Sequence, residues 1–291
     1  MNKNKIYAGL DDQAGTPAVI DAAAWCARHL QASLEFLCVL ERDSDPRMTV
    51  ADLRGVVGRD AQETLLRQLS ELDQQQVLSV QQTVRLLLMN ARYRALASGI
   101  DDVGIRLDHR VLEQHASDIE GDARLLVLGS HFPRADADGR RHTRYLREAL
   151  YRMKSPVLMV PDQAFLAPRR IVLAFDHRLL SHRHLIVLLL QTPELAQLPV
   201  FVTLARTHDV KSRQRFGEMN ELLACAGFDV RTCLGGETSE DMASSLSASK
   251  GPALLIMGND NDSCWRHLVR DRTAGPSPDS SETSVLVVAC N

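Results

Sequence analysis

Lys5-Ile-Tyr-Ala-Gly-Leu-Asp11 returns 165 positions later as Arg170-Ile-Val-Leu-Ala-Phe-Asp176, and this doubled segment decides the fold. The next apolar run, Leu34-Glu-Phe-Leu-Cys-Val39, falls opposite Pro199-Val-Phe-Val-Thr-Leu204 at the same offset. Leu125-Leu-Val-Leu-Gly129 matches Leu254-Leu-Ile-Met-Gly258 at offset 129, and Val157-Leu-Met-Val160 matches Val285-Leu-Val-Val288 at offset 128. Four apolar segments in one order, with a period far beyond that of a solenoid, describe a duplicated domain rather than an array.

The 291 residues accordingly divide into two domains of about 150 residues each, placed at 1–162 and 169–291 around a short linker from Asp162 to Pro168. Domains of that size bury enough surface to need no disulfide or metal staple. Continuous apolar runs such as Ile171 to Phe175 suit parallel strands covered on both faces. In the second half five strands alternate with helical stretches: 181–196, cut by Pro193; 210–226, closed by Gly227; and 239–249. Alternation of this kind predicts an α/β domain with right-handed crossovers. The first half follows the same plan but carries a net 36 extra residues between its second and fourth strands. They lie mainly at about 60–98, where Leu66, Leu69, Val77, Val80, Val84, Leu87, Ala91 and Ala95 recur on one helical face. An elongated crossover helix covering the sheet is one reading of this insertion; a protruding helix that binds a second copy or another protein is the other.

Hydrophobic residues make up 45% of the chain and charged residues 24%, as in ordinary globular proteins. A net charge of −3 gives no general pull toward nucleic acid or anionic lipid, and only 4% aromatic residues argues against a base-stacking platform. No apolar run reaches the length of a membrane span, and the segment ahead of the first strand lacks the apolar stretch of a signal peptide. Six cysteines without regular spacing point to reduced thiols, so a cytoplasmic location is expected.

In an open parallel sheet a ligand binds beyond the carboxyl ends of the strands, where the strand order reverses. Asp11 and Asp176 end the first strand of each copy, and Gly129 and Gly258 end the fourth. A glycine there lets backbone N–H groups approach a phosphate, and an aspartate can accept from an adenine amino group or a ribose. Aspartate after a strand is equally a turn former and helix cap. His177, His182 and His184 cluster in sequence, but helical spacing separates the last two, so they predict surface residues and no metal site. Nucleophile elbows, Walker loops, G-x-G-x-x-G and H-E-x-x-H are all missing, and no enzyme activity is expected.

The strand-to-Asp start, the loop at Val127-Leu-Gly-Ser-His131 and the run Ser155-Pro-Val-Leu-Met-Val-Pro161 together resemble the universal stress protein family, and two copies in one chain resemble its tandem members. The resemblance implies two Rossmann-like (adenine nucleotide α-hydrolase-like) domains, each a five-stranded parallel sheet of order 3-2-1-4-5. It also implies an ATP site in those members that bind nucleotide. Carried over, the first-strand aspartate is Asp11 or Asp176, and the second-strand adenine contact is Val39 or Leu204. The family's phosphate loop reads G-x2-G-x9-G-[ST]. Here Gly129, Ser130, His131 and Thr143 remain, but Phe132 and His142 replace two glycines. Nearby Arg134, Arg140, Arg141 and Arg144 could still hold phosphate. In the second copy Gly258 is followed by Asn261, Asp271 and Arg272, with Asp260 and Asp262 adding negative charge. The resemblance therefore implies a regulatory or protective protein in stress with degenerate nucleotide sites. Its alternatives are an ATP switch using the first domain alone, and an interaction scaffold acting through the insertion.

Overall fold

Ten short runs, most of them apolar, become ten strands of one sheet in the computed structural model of the protein, which is described over residues 4–11, 15–39, 78–79, 81–108, 118–129, 153–174, 195, 197–204, 210–234, 251–258 and 284–288. In the first half these are β1 (Lys5–Leu10), β2 (Ser33–Val39), β3 (Val103–Asp108), β4 (Ala123–Gly129) and β5 (Val157–Val160). In the second they are β6 (Ile171–Ala174), β7 (Val200–Leu204), β8 (Val230–Leu234), β9 (Leu254–Gly258) and β10 (Ser284–Val288). Three helices are described: α1 (Thr16–Leu30), α2 (81–97) and α3 (Val210–Cys225).

The sheet runs β3-β2-β1-β4-β5-β10-β9-β6-β7-β8, so each half reads 3-2-1-4-5 outward in and the two meet at their fifth strands. Every pairing is parallel except β5 with β10, where Leu158 lies opposite Leu286. Those two leucines are themselves equivalent at offset 128. An antiparallel pair formed by equivalent residues places a local two-fold axis between them. The two domains expected from the sequence thus share a single sheet.

Strand register corrects one detail of the internal alignment. Ile6 pairs with Leu34, whereas its equivalent Ile171 pairs with Val200, so the second strands match at offset 166 rather than 165. Leu204 is therefore the counterpart of Cys38, not of Val39. The cause is Pro199, which has no N–H to give to the ladder and serves only as an acceptor for Ile171.

Alternation along the strands splits the core into two layers. Ile6, Ala8, Leu10, Leu34, Phe36 and Val127 face α1 and α2, while Tyr7, Leu37, Leu126, Leu128 and Met159 face the other way. The described part of the insertion joins the first layer: Val84, Leu88, Ala91 and Ala95 are buried there, and Leu87 is partly so. The remainder of the 60–98 stripe lies outside the described residues. Gly227 closes α3 with φ +93°, as its place after the helical run predicts, and Phe228 N–H reaches back to the Leu223 carbonyl.

On the axis itself three equivalent pairs, Leu30 with Leu195, Leu125 with Leu254 and Leu158 with Leu286, line a cavity of about 40 Å³. Residues of α1 complete its wall. Among them is Cys26, whose thiol burial pushes up to about 12. Cys26 and Cys38 are buried free cysteines, in keeping with thiols that act as small hydrophobes.

Candidate functional site at the carboxyl edge of the first half

Strand order reverses between β1 and β4; β1 carries Gly9 next to its last residue, and β4 ends on Gly129. Gly9 lies in register with Leu128, so Asp11, just past β1, stands beside Gly129 at the end of β4. Val39 ends β2 on the far side of β1 at the same edge. Asp11, Gly129 and Val39 are thus gathered along one rim. Ser130, His131, Thr143 and Asp176 lie outside the described residues, as do the loop arginines and the histidine cluster. Gly258 ends β9 opposite Val288 in the second half.

The N-terminus of α1 is aimed at this rim. Gly15 is its N-cap and contributes no side-chain cap, and Pro17 in the first turn presets the helical φ. Thr16 is buried and donates its hydroxyl to the Asp11 backbone carbonyl, with Asp11 Oδ1 3.3 Å away. A second carboxylate comes from the end of β5: a Cβ on Gly15 would lie 2.5 Å from Asp162 Oδ1 and 3.2 Å from its Cα. Only glycine admits so close an approach. Two carboxylates therefore flank the positive end of α1, whose own first turn holds none. Gly129 also has packing work to do, because a Cβ there would touch Val19 Cγ2 of α1 at 3.4 Å. The Thr16 hydroxyl contact and strand–helix packing give Asp11 and Gly129 structural roles without a ligand. The position at the switch point is equally what a nucleotide needs.

Sequence reasoning missed Thr16 and Asp162. The Thr-Pro pair opening a helix was the available signal for Thr16, whereas Asp162 sits 147 positions from Gly15 and declares itself only through the fold. It also missed a charged group at the opposite, amino end of the same strands. Glu35, whose side chain is only 11% exposed, lies 3.0 Å from Lys5 Nζ and 2.7 Å from Arg106 Nε. Beneath them the Tyr7 hydroxyl donates to Asp122 at 2.9 Å, and both cations stand over the Tyr7 ring. Burial first, then the bond to Asp122, holds the Tyr7 phenol well above the usual tyrosine range. By register the residue equivalent to Glu35 is Phe201, which carries Arg231 over its ring instead, so the Glu35 ion pairs have no counterpart at that position. Among the described residues no group of three metal-ligating side chains converges.

Comparison with known proteins places this geometry among relatives. No family model matches the chain. Universal stress protein Slr1230 of Synechocystis sp. is 25% identical over 249 residues, covering 85% of this chain and 86% of its own. The crystal structure of a universal stress protein from Archaeoglobus fulgidus superimposes with a TM-score of 0.61 at 11% identity, covering 100% of this chain and 97% of that one. A putative universal stress protein from Pseudomonas aeruginosa gives 0.52 at 16% identity, over 98% and 93%. The chain is similar to universal stress proteins in sequence and shares their α/β fold. Among the described residues no helix is long and apolar enough to cross a membrane.

Proposed function

We propose that the chain is a tandem universal stress protein acting in the cytoplasm, with a regulatory or protective role in stress and no catalytic role. Its domains would be 1–162 and 169–291. The observation that carries this reading is the Leu158–Leu286 pairing, which joins two equivalent five-stranded halves as a dimer of single domains would be joined. Degenerate nucleotide sites fit the rim: Asp11 is engaged with Thr16, and Asp162 packs against Gly15 where an anion would meet the α1 terminus. The lost loop glycines at Phe132 and His142 point the same way.

A second reading keeps ATP in the first half only, held by Asp11, Val39, Gly129, Ser130, His131 and Thr143. Its support is the meeting of Asp11 and Gly129 at the switch point. A third makes the protein a scaffold that recruits a partner through the insertion, supported by apolar side chains left open on the outer side of α2. Native mass spectrometry of freshly isolated protein separates the first two. The degenerate-site reading expects the mass of the bare chain, and a stoichiometric adduct of nucleotide mass would transfer the role to an ATP-dependent switch.

A further inference from the structure

Helix α2 is apolar on two sides, and only one of them is used by the core. Opposite the buried face, Leu86, Met89, Tyr93 and Leu96 remain 66, 48, 77 and 42% exposed. Singly exposed apolar residues need no explanation, but four large ones on one stripe mark an interaction surface. Their intervals of three, four and three are those of a helix-pairing seam, and methionine and tyrosine are residues that interfaces favour.

Charge says what kind of helix would fit. Arg85 and Arg92, seven residues apart, run along one edge of the stripe, and both are exposed. Arg94 is spoken for: its Nε and Nη2 donate to the Asp21 carboxylate at 2.6 and 2.5 Å. Residues 78–97 contain no aspartate or glutamate. If two copies paired antiparallel on this stripe, Arg85 and Arg92 of one would face the same arginines of the other. In a parallel pair they would face Asn90 and Ala97. Neither arrangement gives them a carboxylate, so α2 makes a poor partner for itself and a good one for a helix edged with acid.

We propose that the outer face of α2 docks an acidic amphipathic helix of another protein. Its apolar stripe would lie on Leu86, Met89, Tyr93 and Leu96, with its carboxylates against Arg85 and Arg92. The proposal rests on the scaffold reading and assigns the partner's chemistry; it is independent of nucleotide occupancy. The test titrates the full chain into two labelled helical peptides of roughly three heptads. Both have leucine at the seam positions, with glutamate on the flanks in one and lysine in the other, and anisotropy is read at low and high salt. Binding of the glutamate peptide at least about tenfold tighter than the lysine peptide is expected, with the preference shrinking in salt. Tyr93→Ala should weaken it by about tenfold or more, and Arg85→Glu with Arg92→Glu should reverse the preference. All three positions are exposed, so these variants retain the fold. A lysine peptide that binds as well or better, still dependent on Tyr93, would overturn the acidic partner and leave the scaffold standing. Binding of neither peptide would overturn both. A doubled solution mass that Tyr93→Ala returns to a single chain would also overturn the proposal, in favour of a second copy.

Discussion

Leu158→Ala should cost the protein about 3–5 kcal/mol and lower the unfolding midpoint of both halves together. Leu158 is 3% exposed, lies opposite Leu286 at the centre of the sheet and borders the axial cavity. Truncation there removes the transfer energy of the lost carbons and enlarges a void that already holds about 40 Å³, with stiff strands on both sides to resist collapse. Because the local two-fold makes the leucines equivalent, Leu286→Ala should cost about the same to within roughly 1 kcal/mol. The double variant should depart from additivity, since the two side chains share one cavity. Urea unfolding followed by far-ultraviolet dichroism reads all three, and a single cooperative transition is expected. Two separate transitions, with one midpoint untouched by Leu158→Ala, would mean that the shared sheet does not couple the halves.

Glu35→Ala should be the next most damaging change, at about 2 kcal/mol. The Glu35 carboxylate is nearly buried between Lys5 and Arg106, and its loss leaves two cations over Tyr7 with one anion, Asp122, nearby. Breaking a fully buried ion pair costs about 3–5 kcal/mol. Lys5 and Arg106 are about a third exposed, so water recovers part of that loss and the lower figure applies. Glu35→Gln keeps an acceptor for one of the cations and should fall between alanine and the native protein. Denaturant midpoints give the order directly. A Glu35→Ala protein within about 0.5 kcal/mol of native would reduce the group to a solvated surface pair.

Much of the architecture could be read from apolar runs alone, because a duplicated parallel sheet repeats its buried strands at constant spacing. The matches Ile6 to Ile171, Leu125 to Leu254 and Leu158 to Leu286 all hold in the strand register. What failed was the match across the second strands, where Pro199 resembles an apolar residue in a pattern but has no N–H to donate to a ladder. The antiparallel join of β5 to β10 was also illegible, since nothing local in Val157–Val160 specifies which edge it meets. Of the rim, Asp11 and Gly129 were legible because strand ends show in the sequence. Asp162 was not, because its approach to Gly15 exists only once β5 and α1 are side by side. Glu35 stood in plain view inside Leu34-Glu-Phe-Leu, yet its partners come from strands 30 and 71 positions away. The inner stripe of α2 followed helical periodicity, but Leu86, Met89, Tyr93 and Leu96 form a second one that a search for a single buried face passes over.

The reading of degenerate sites meets its most direct test in equilibrium binding of labelled ATP with magnesium, titrated to millimolar concentration against the full chain. With phosphate-cradling glycines replaced and carboxylates beside the α1 terminus, no saturable binding is expected, and Asp11→Ala should change nothing. Saturable micromolar binding that Asp11→Ala abolishes would contradict it and make the first half a working nucleotide site.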